Sequence, residues 1–187
     1  MPLDTKSSRI KMNIFILNSG RCGSTTFIKA CKHITNYSSA HESLITKTGA
    51  ARLAYPKNHI EADNRLSWFL GRLDKTYGND AFYVHLKRNQ EETVKSFSKR
   101  IDFGILKAYE QGILMHDQHQ ESADDIALDY TETVDNNIKL FLKDKSKKIQ
   151  VTLDTAAEDF TEFWNRINAS GNLNDAIQEW DIHYNAS

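Results

Sequence analysis

At 187 residues with 24 basic against 25 acidic side chains, the chain carries a formal net charge of −1, so no general electrostatic attraction draws it to nucleic acid or to an anionic membrane. No stretch approaches the ~18 apolar residues of a membrane span, and the polar N-terminus lacks the apolar core of a signal peptide, which points to a cytoplasmic protein. With only 2 prolines and no internal repeat, low-complexity tract or linker, a single domain over residues 1–187 is the simplest organisation.

The first element is the near-continuous apolar run Ile14, Phe15, Ile16 and Leu17, the pattern of a strand covered on both faces. It runs into a turn of Gly, Ser and Thr that opens a helix reaching Cys31. Unpaired N–H groups at such a helix start converge with the positive end of its dipole and make an anion site. Gly20 and Gly23 let the backbone turn tightly, Arg21 adds a permanent forked charge, the Cys22 N–H adds a backbone donor, and Ser24, Thr25 and Thr26 add hydroxyls. A nucleoside triphosphatase loop ends in Gly-Lys-Ser/Thr, whose lysine reaches the outer phosphates; here Gly23 is followed directly by Ser24 and Thr25. A phosphatase-type cysteine loop fails too, because Ile28 stands six residues after Cys22, where the arginine belongs. What remains is a phosphate loop with its cation ahead of the glycine.

Cys22 and Cys31 are too far apart along a helix for a disulfide and lack the paired spacing of a zinc site. Beside Arg21 at a helix N-terminus, Cys22 is placed for a lowered thiol pKa. Beyond the first helix, His41 and Glu42 are adjacent candidates for a general base; a histidine starts near the useful pKa, whereas a glutamate needs burial to reach it. Helical patterning follows at about 62–77, where Leu66, Phe69, Leu70 and Leu73 give an apolar face.

A second strand-to-helix switch lies at 81–97. The run Ala81 to Leu86 ends in Lys87 and Arg88, at the strand edge where parallel sheets hold ligands. Asn89 and Glu92 have the spacing of a capping pair, and Ser96 lies about two turns into the helix. Helices are expected at about 90–115 and 122–143, the latter starting at Ser122, and a third strand at Ile149 to Leu153. The basic run 143–148 before it suits a solvated turn. Thr155 and Glu158 suit a capping box for a last helix, whose Phe160, Phe163, Trp164 and Ile167 form one apolar stripe that belongs in a core. Repeated strand-then-helix order argues for a parallel sheet with right-handed crossovers.

Taken together, the segments 12–42 and 81–100 resemble the sulfotransferases that use 3′-phosphoadenosine 5′-phosphosulfate (PAPS). That family's Lys/Arg-x-Gly-Ser/Thr-Thr loop corresponds to Arg21, Gly23, Ser24 and Thr25, and its Arg and Ser eight residues apart to Arg88 and Ser96. The resemblance implies an α/β, three-layer P-loop-like fold with a central, mainly parallel sheet flanked by helices. It implies PAPS as donor and 3′-phosphoadenosine 5′-phosphate (PAP) as product, with the 5′-phosphosulfate on the first loop and the 3′-phosphate on Arg88 and Ser96. Glu42 is the first choice as base and His41 the second, with Arg21 opposing charge on the leaving phosphate. No catalytic metal is expected, because a sulfuryl donor carries less charge than a phosphoryl donor.

The partner is a small-molecule or glycan acceptor, with alcohol, amine, sugar and peptide hydroxyl all open. The Lys/Arg-Gly-rich loop that closes over the 3′-phosphate in cytosolic members is absent, leaving Lys87, Arg100 or Arg166 as substitutes. The alternatives are another phosphate-loop enzyme such as a small-molecule kinase, which requires magnesium and ATP, and a nucleotide-binding protein without turnover.

Overall fold

A computed structural model describes residues 12–116 and 121–182. Five strands, β1 (Ile14–Leu17), β2 (Ser38–His41), β3 (His59–Ala62), β4 (Phe82–Lys87) and β5 (Lys148–Thr152), form an all-parallel sheet in the order β2-β3-β1-β4-β5. Seven α-helices connect them among the described residues: α1 (Ser24–Cys31), α2 (Leu70–Tyr77), α3 (Gln90–Ser98), α4 (Gly104–Gly112), α5 (Ala123–Leu142), α6 (Ala156–Arg166) and α7 (Leu173–Gln178). The chain leaves β1 toward β2 on one side, then crosses back to β4 on the other. The strand order therefore reverses between β1 and β4, and the crevice beyond the carboxyl ends there is where open α/β sheets bind ligands.

All four residues of β1 are fully buried, and alternation sends them to two cores. Ile14 and Ile16 face α1, α6 and α7 together with Val84, Leu86 and Val151. Phe15 and Leu17 face the helices α2 to α5 together with Tyr83, Tyr130 and Ile138. This is the three-layer arrangement expected from the sequence. The aromatic stripe of α6 is core: Phe160 and Phe163 are fully buried, with ring centroids 5.2 and 5.1 Å from that of Phe27 on α1. Both cysteines are free and buried.

Several local expectations change. β2 and β3 have no apolar run to announce them. Residues 62–77 hold the end of β3, a 3-10 turn at Asn64–Trp68 and only then α2. The single helix expected at 90–115 breaks at residues 99–103 into α3 and α4. Asn89 caps α3 and Ser122 caps α5 through the N–H groups of Glu92 and Asp125. The Thr155–Glu158 box does not form. Instead Asp159 accepts from the Thr155 hydroxyl at 2.7 Å and from the Thr152 N–H at 2.8 Å, tying the α6 start to the β5 end. The lysines of 143–148 are not simply solvated, since Lys145 pairs with Asp74 at 2.7 Å and Lys148 Nζ donates to the Leu142 carbonyl at 2.6 Å.

The segment after α6 is fastened to the end of α1 by an antiparallel bridge between Ile34 and Gly171 and by the Asn172 N–H on the His33 carbonyl at 3.1 Å. Gly171 has φ +142°, and a Cβ there would lie 2.0 Å from the His33 oxygen. Backbone must move to admit one, so Gly171→Ala should lower unfolding stability by roughly 1–3 kcal/mol, seen as a reduced urea midpoint at unchanged slope.

Candidate active site

The loop after β1 makes its turn with three positive φ angles, at Gly20 (101°), Arg21 (58°) and Gly23 (84°). Asn18, fully buried, holds its start by accepting the Gly20 N–H at 2.8 Å. The Ser19 carbonyl accepts the Tyr130 hydroxyl at 2.7 Å, and the Asn18 carbonyl accepts Ser67 Oγ at 3.2 Å. The positive φ angles favour glycine at positions 20 and 23, and neighbouring side chains close in on both. A Cβ on Gly20 would sit 2.9 Å from Asn64 Nδ2 and 3.1 Å from the Phe97 ring, and one on Gly23 would sit 2.9 Å from Leu153. The loop thereby delivers the N-terminus of α1 to the crevice with Ser24 as its first residue.

The two sequence motifs meet. Arg21 Nε donates to Ser96 Oγ at 2.9 Å, across 75 residues of chain. Burial, then the charges of Arg100 and Arg88, push the Arg21 guanidinium below its ordinary value. The charges of Arg100 and Arg88 thus both bear on Arg21, and a bound anion would relieve that repulsion. Arg88 reaches back to Glu92, Nε to Oε2 2.8 Å, on the first turn of α3. Arg166 is not at this site: it bonds Glu162 and the carbonyl of Lys148, at the amino end of β5.

On the other side of the loop, Ser24 Oγ and His41 Nε2 are 2.9 Å apart. Glu42, at φ +53°, turns its carboxylate to Arg65 at 3.0 Å. Asp63, at the end of β3, caps the turn carrying Arg65 and is itself paired with the buried Arg52. Thr26 is buried in α1.

Cys22 departs from expectation. Its thiol is buried and donates to the Gly20 carbonyl at 3.0 Å. Burial pushes its pKa up, and the Ser19 hydrogen bond and the Arg88 charge offset this only in part. The helix dipole and Arg21 do not produce a thiolate here; the side chain packs the loop.

A cavity of about 370 Å³ opens beside Ser19 and Arg88, between the end of β4 and α5. Lys87, Lys139 and Asp135 line it. Asp135 receives His85 Nε2 at 2.8 Å, Lys139 at 2.6 Å and Lys87 at 3.3 Å. Sequence reasoning missed Asp135, Tyr130 and Arg65. Asp135 and Tyr130 lie inside a long helix with no local motif, while Arg65 lies in the 3-10 turn that follows the unrecognised strand β3.

Among the described residues no group of three His, Cys, Asp or Glu side chains gathers as a metal site, and no helix is long and apolar enough to cross a membrane. His119, His183 and the triplet Asn185-Ala186-Ser187, which has the pattern of an N-glycosylation acceptor, lie outside the described residues.

A doubly wound parallel sheet with a phosphate-type loop at its switch point defines the class: an α/β protein of sulfotransferase-like, P-loop-like fold. Among solved structures the chain is similar to mouse sulfotransferase SULT7A1 complexed with PAP, at a TM-score of 0.50 and 12% identity over 91% of this chain and 64% of that one. The chain thus spans less than two thirds of that protein's length. No family model matches it, and no curated protein matches it in sequence.

The Asp135 clamp is testable by itself. Burial raises this carboxyl, but the hydrogen bonds of His85 and Lys139 and the charges of His85 and Lys87 outweigh it and hold the group well below the usual range. A depressed folded pKa contributes stability above the unfolded value of about 3.9, and loses it as pH falls through that value toward the folded one. Asp135→Asn should therefore cost about 1–3 kcal/mol at pH 7, and the gap between the two proteins in denaturant melts should narrow below about pH 4.

Proposed function

We propose that the chain is a sulfotransferase that moves a sulfuryl group from PAPS to a hydroxyl or amine acceptor. The observation that carries this is the hydrogen bond between Arg21 and Ser96, which joins the phosphate loop to the Arg88 motif in the crevice between β1 and β4. Two anion sites on one crevice suit a nucleotide with phosphate at two positions, and Arg88 with Ser96 would take the 3′-phosphate.

The donor brings the sulfuryl group and a phosphate able to leave with the bridging electron pair. The α1 N-terminus with Ser24 and Thr25 would hold that phosphate, and Arg21 would oppose the charge that grows on it as the sulfur–oxygen bond breaks and the acceptor–sulfur bond forms. The acceptor's proton goes to the base. Of the two candidates, the geometry favours His41 over Glu42: His41 touches the first residue of the phosphate helix, whereas the Glu42 carboxylate is engaged by Arg65. Glu42 and Arg65 then orient the acceptor.

Calorimetric titration with PAP, adenosine 5′-phosphate and magnesium ATP separates the readings. PAP should bind tightest, and Arg88→Ala should weaken PAP by about 10–100-fold, on the order of 1.5–3 kcal/mol, without affecting adenosine 5′-phosphate. Equal affinity for the two nucleotides overturns the 3′-phosphate assignment, and preference for magnesium ATP favours a kinase. In turnover, Arg21→Ala should lower kcat about 10²-fold. His41→Asn should lower it by about 10²–10⁴-fold at unchanged PAP affinity, with a smaller loss for Glu42→Gln. Full activity of His41→Asn returns the base to Glu42.

A further inference from the structure

The inner strand β3 carries two ionisable residues, His59 and Glu61, where the other inner strands, β1 and β4, are mainly apolar. Glu61 is fully buried and His59 is 5% exposed. A buried carboxylate is sustained only by full pairing. Glu61 has three donors: the Ser43 N–H on Oε1 at 2.7 Å, the Ser43 hydroxyl on Oε2 at 2.7 Å, and His59 Nε2 on Oε2 at 2.9 Å. The other imidazole nitrogen, Nδ1, lies 2.8 Å from Ser38 Oγ at the start of β2. Assigning the ring from this network, Ser38 donates to Nδ1 and Nε2–H donates to Glu61.

Two of those three donors belong to Ser43, the second residue beyond His41. The β2–β3 ladder reaches Glu42, whose N–H binds the Ala62 carbonyl at 2.9 Å, and at Ser43 the Glu61 side chain takes over from the sheet. Glu42 sits between these anchors at φ +53°, a conformation that a non-glycine residue holds only when its surroundings impose it. The sheet edge would otherwise fray just where His41 meets Ser24 and Glu42 meets Arg65.

We propose that Glu61 is a positioning residue: its buried carboxylate clamps Ser43 and so fixes His41 and Glu42 against the phosphate loop. The clamp rests on the sulfotransferase reading for its catalytic meaning, but its structural content stands apart and can be read without turnover. The first readout is the side-chain nitrogen spectrum of His41 by NMR, assigned with His41→Asn. In the wild type the Ser24 contact should hold one tautomer, and Ser24→Ala gives the signature of a released ring. Glu61→Gln leaves one acceptor for two Ser43 donors and sets an amide against His59, and Ser43→Ala removes the hydroxyl bond with little risk to folding. Both should move the His41 signals toward the Ser24→Ala position.

The second readout uses PAPS with water as acceptor. Both variants should lower kcat at least 10-fold while PAP affinity and the KM for PAPS stay within about twofold. Unchanged His41 signals in both folded variants overturn the clamp, as does an unchanged kcat. If the wild type fails to bind PAP, the sulfotransferase reading falls, and the spectra still decide whether Glu61 holds His41.

Discussion

The site depends on a turn that must reverse the chain from β1 into α1 without spending the N–H groups at the helix start. Three left-handed residues between positions 20 and 23 accomplish this, one of them the non-glycine Arg21. The strain is held by partners from elsewhere in the fold: Tyr130 of α5 and Ser67 of the 3-10 turn bond the carbonyls of Ser19 and Asn18, while Asn18 fixes the Gly20 N–H. Arg21 Nε, turned toward Ser96, then ties the loop to α3, so the loop is held in place by long-range contacts.

Strand order divides the crevice. With β3 and β2 on one side of β1 and β4 and β5 on the other, Arg88 and Ser96 and the adjacent pair His41 and Glu42 fall on opposite flanks of the loop. On the proposed reading, a group transferred at the loop would have its donor's anchor on one flank and a base on the other, the geometry that in-line displacement needs.

Legibility in the sequence followed burial pattern. β1, β4 and β5 were readable as apolar runs, and both anion motifs because their cations follow such runs. β2 and β3 were not, because Ser38, Ser39, His59 and Glu61 break the alternation, and the side chains of Ser38, His59 and Glu61 are committed to one another. The candidate base was found by its position after α1, but its neighbour Arg65 stayed hidden behind the missed strand. That Glu42 is ion-paired while His41 touches Ser24 is a matter of which way each leaves the strand end, and adjacent residues in sequence carry no such information.

The two faces of the sheet do different jobs. On the α1, α6 and α7 face the core is built of aliphatic and aromatic side chains, with Phe27, Phe160 and Phe163 edge to face. The buried Arg, His, Asp and Glu side chains of the described residues, namely Arg52, His59, Glu61, Asp63, His85 and Glu110, belong instead to the half of the molecule that holds α2 to α5. Burying such groups costs free energy that an apolar replacement would not. Glu61, Asp63 and His85 stand at or near strand ends, where Glu61 holds Ser43, Asp63 holds Arg65 and His85 holds Asp135. Each of these buried side chains therefore fixes a residue near the strand ends, and the stability forgone on one face sets the geometry of the segments above it.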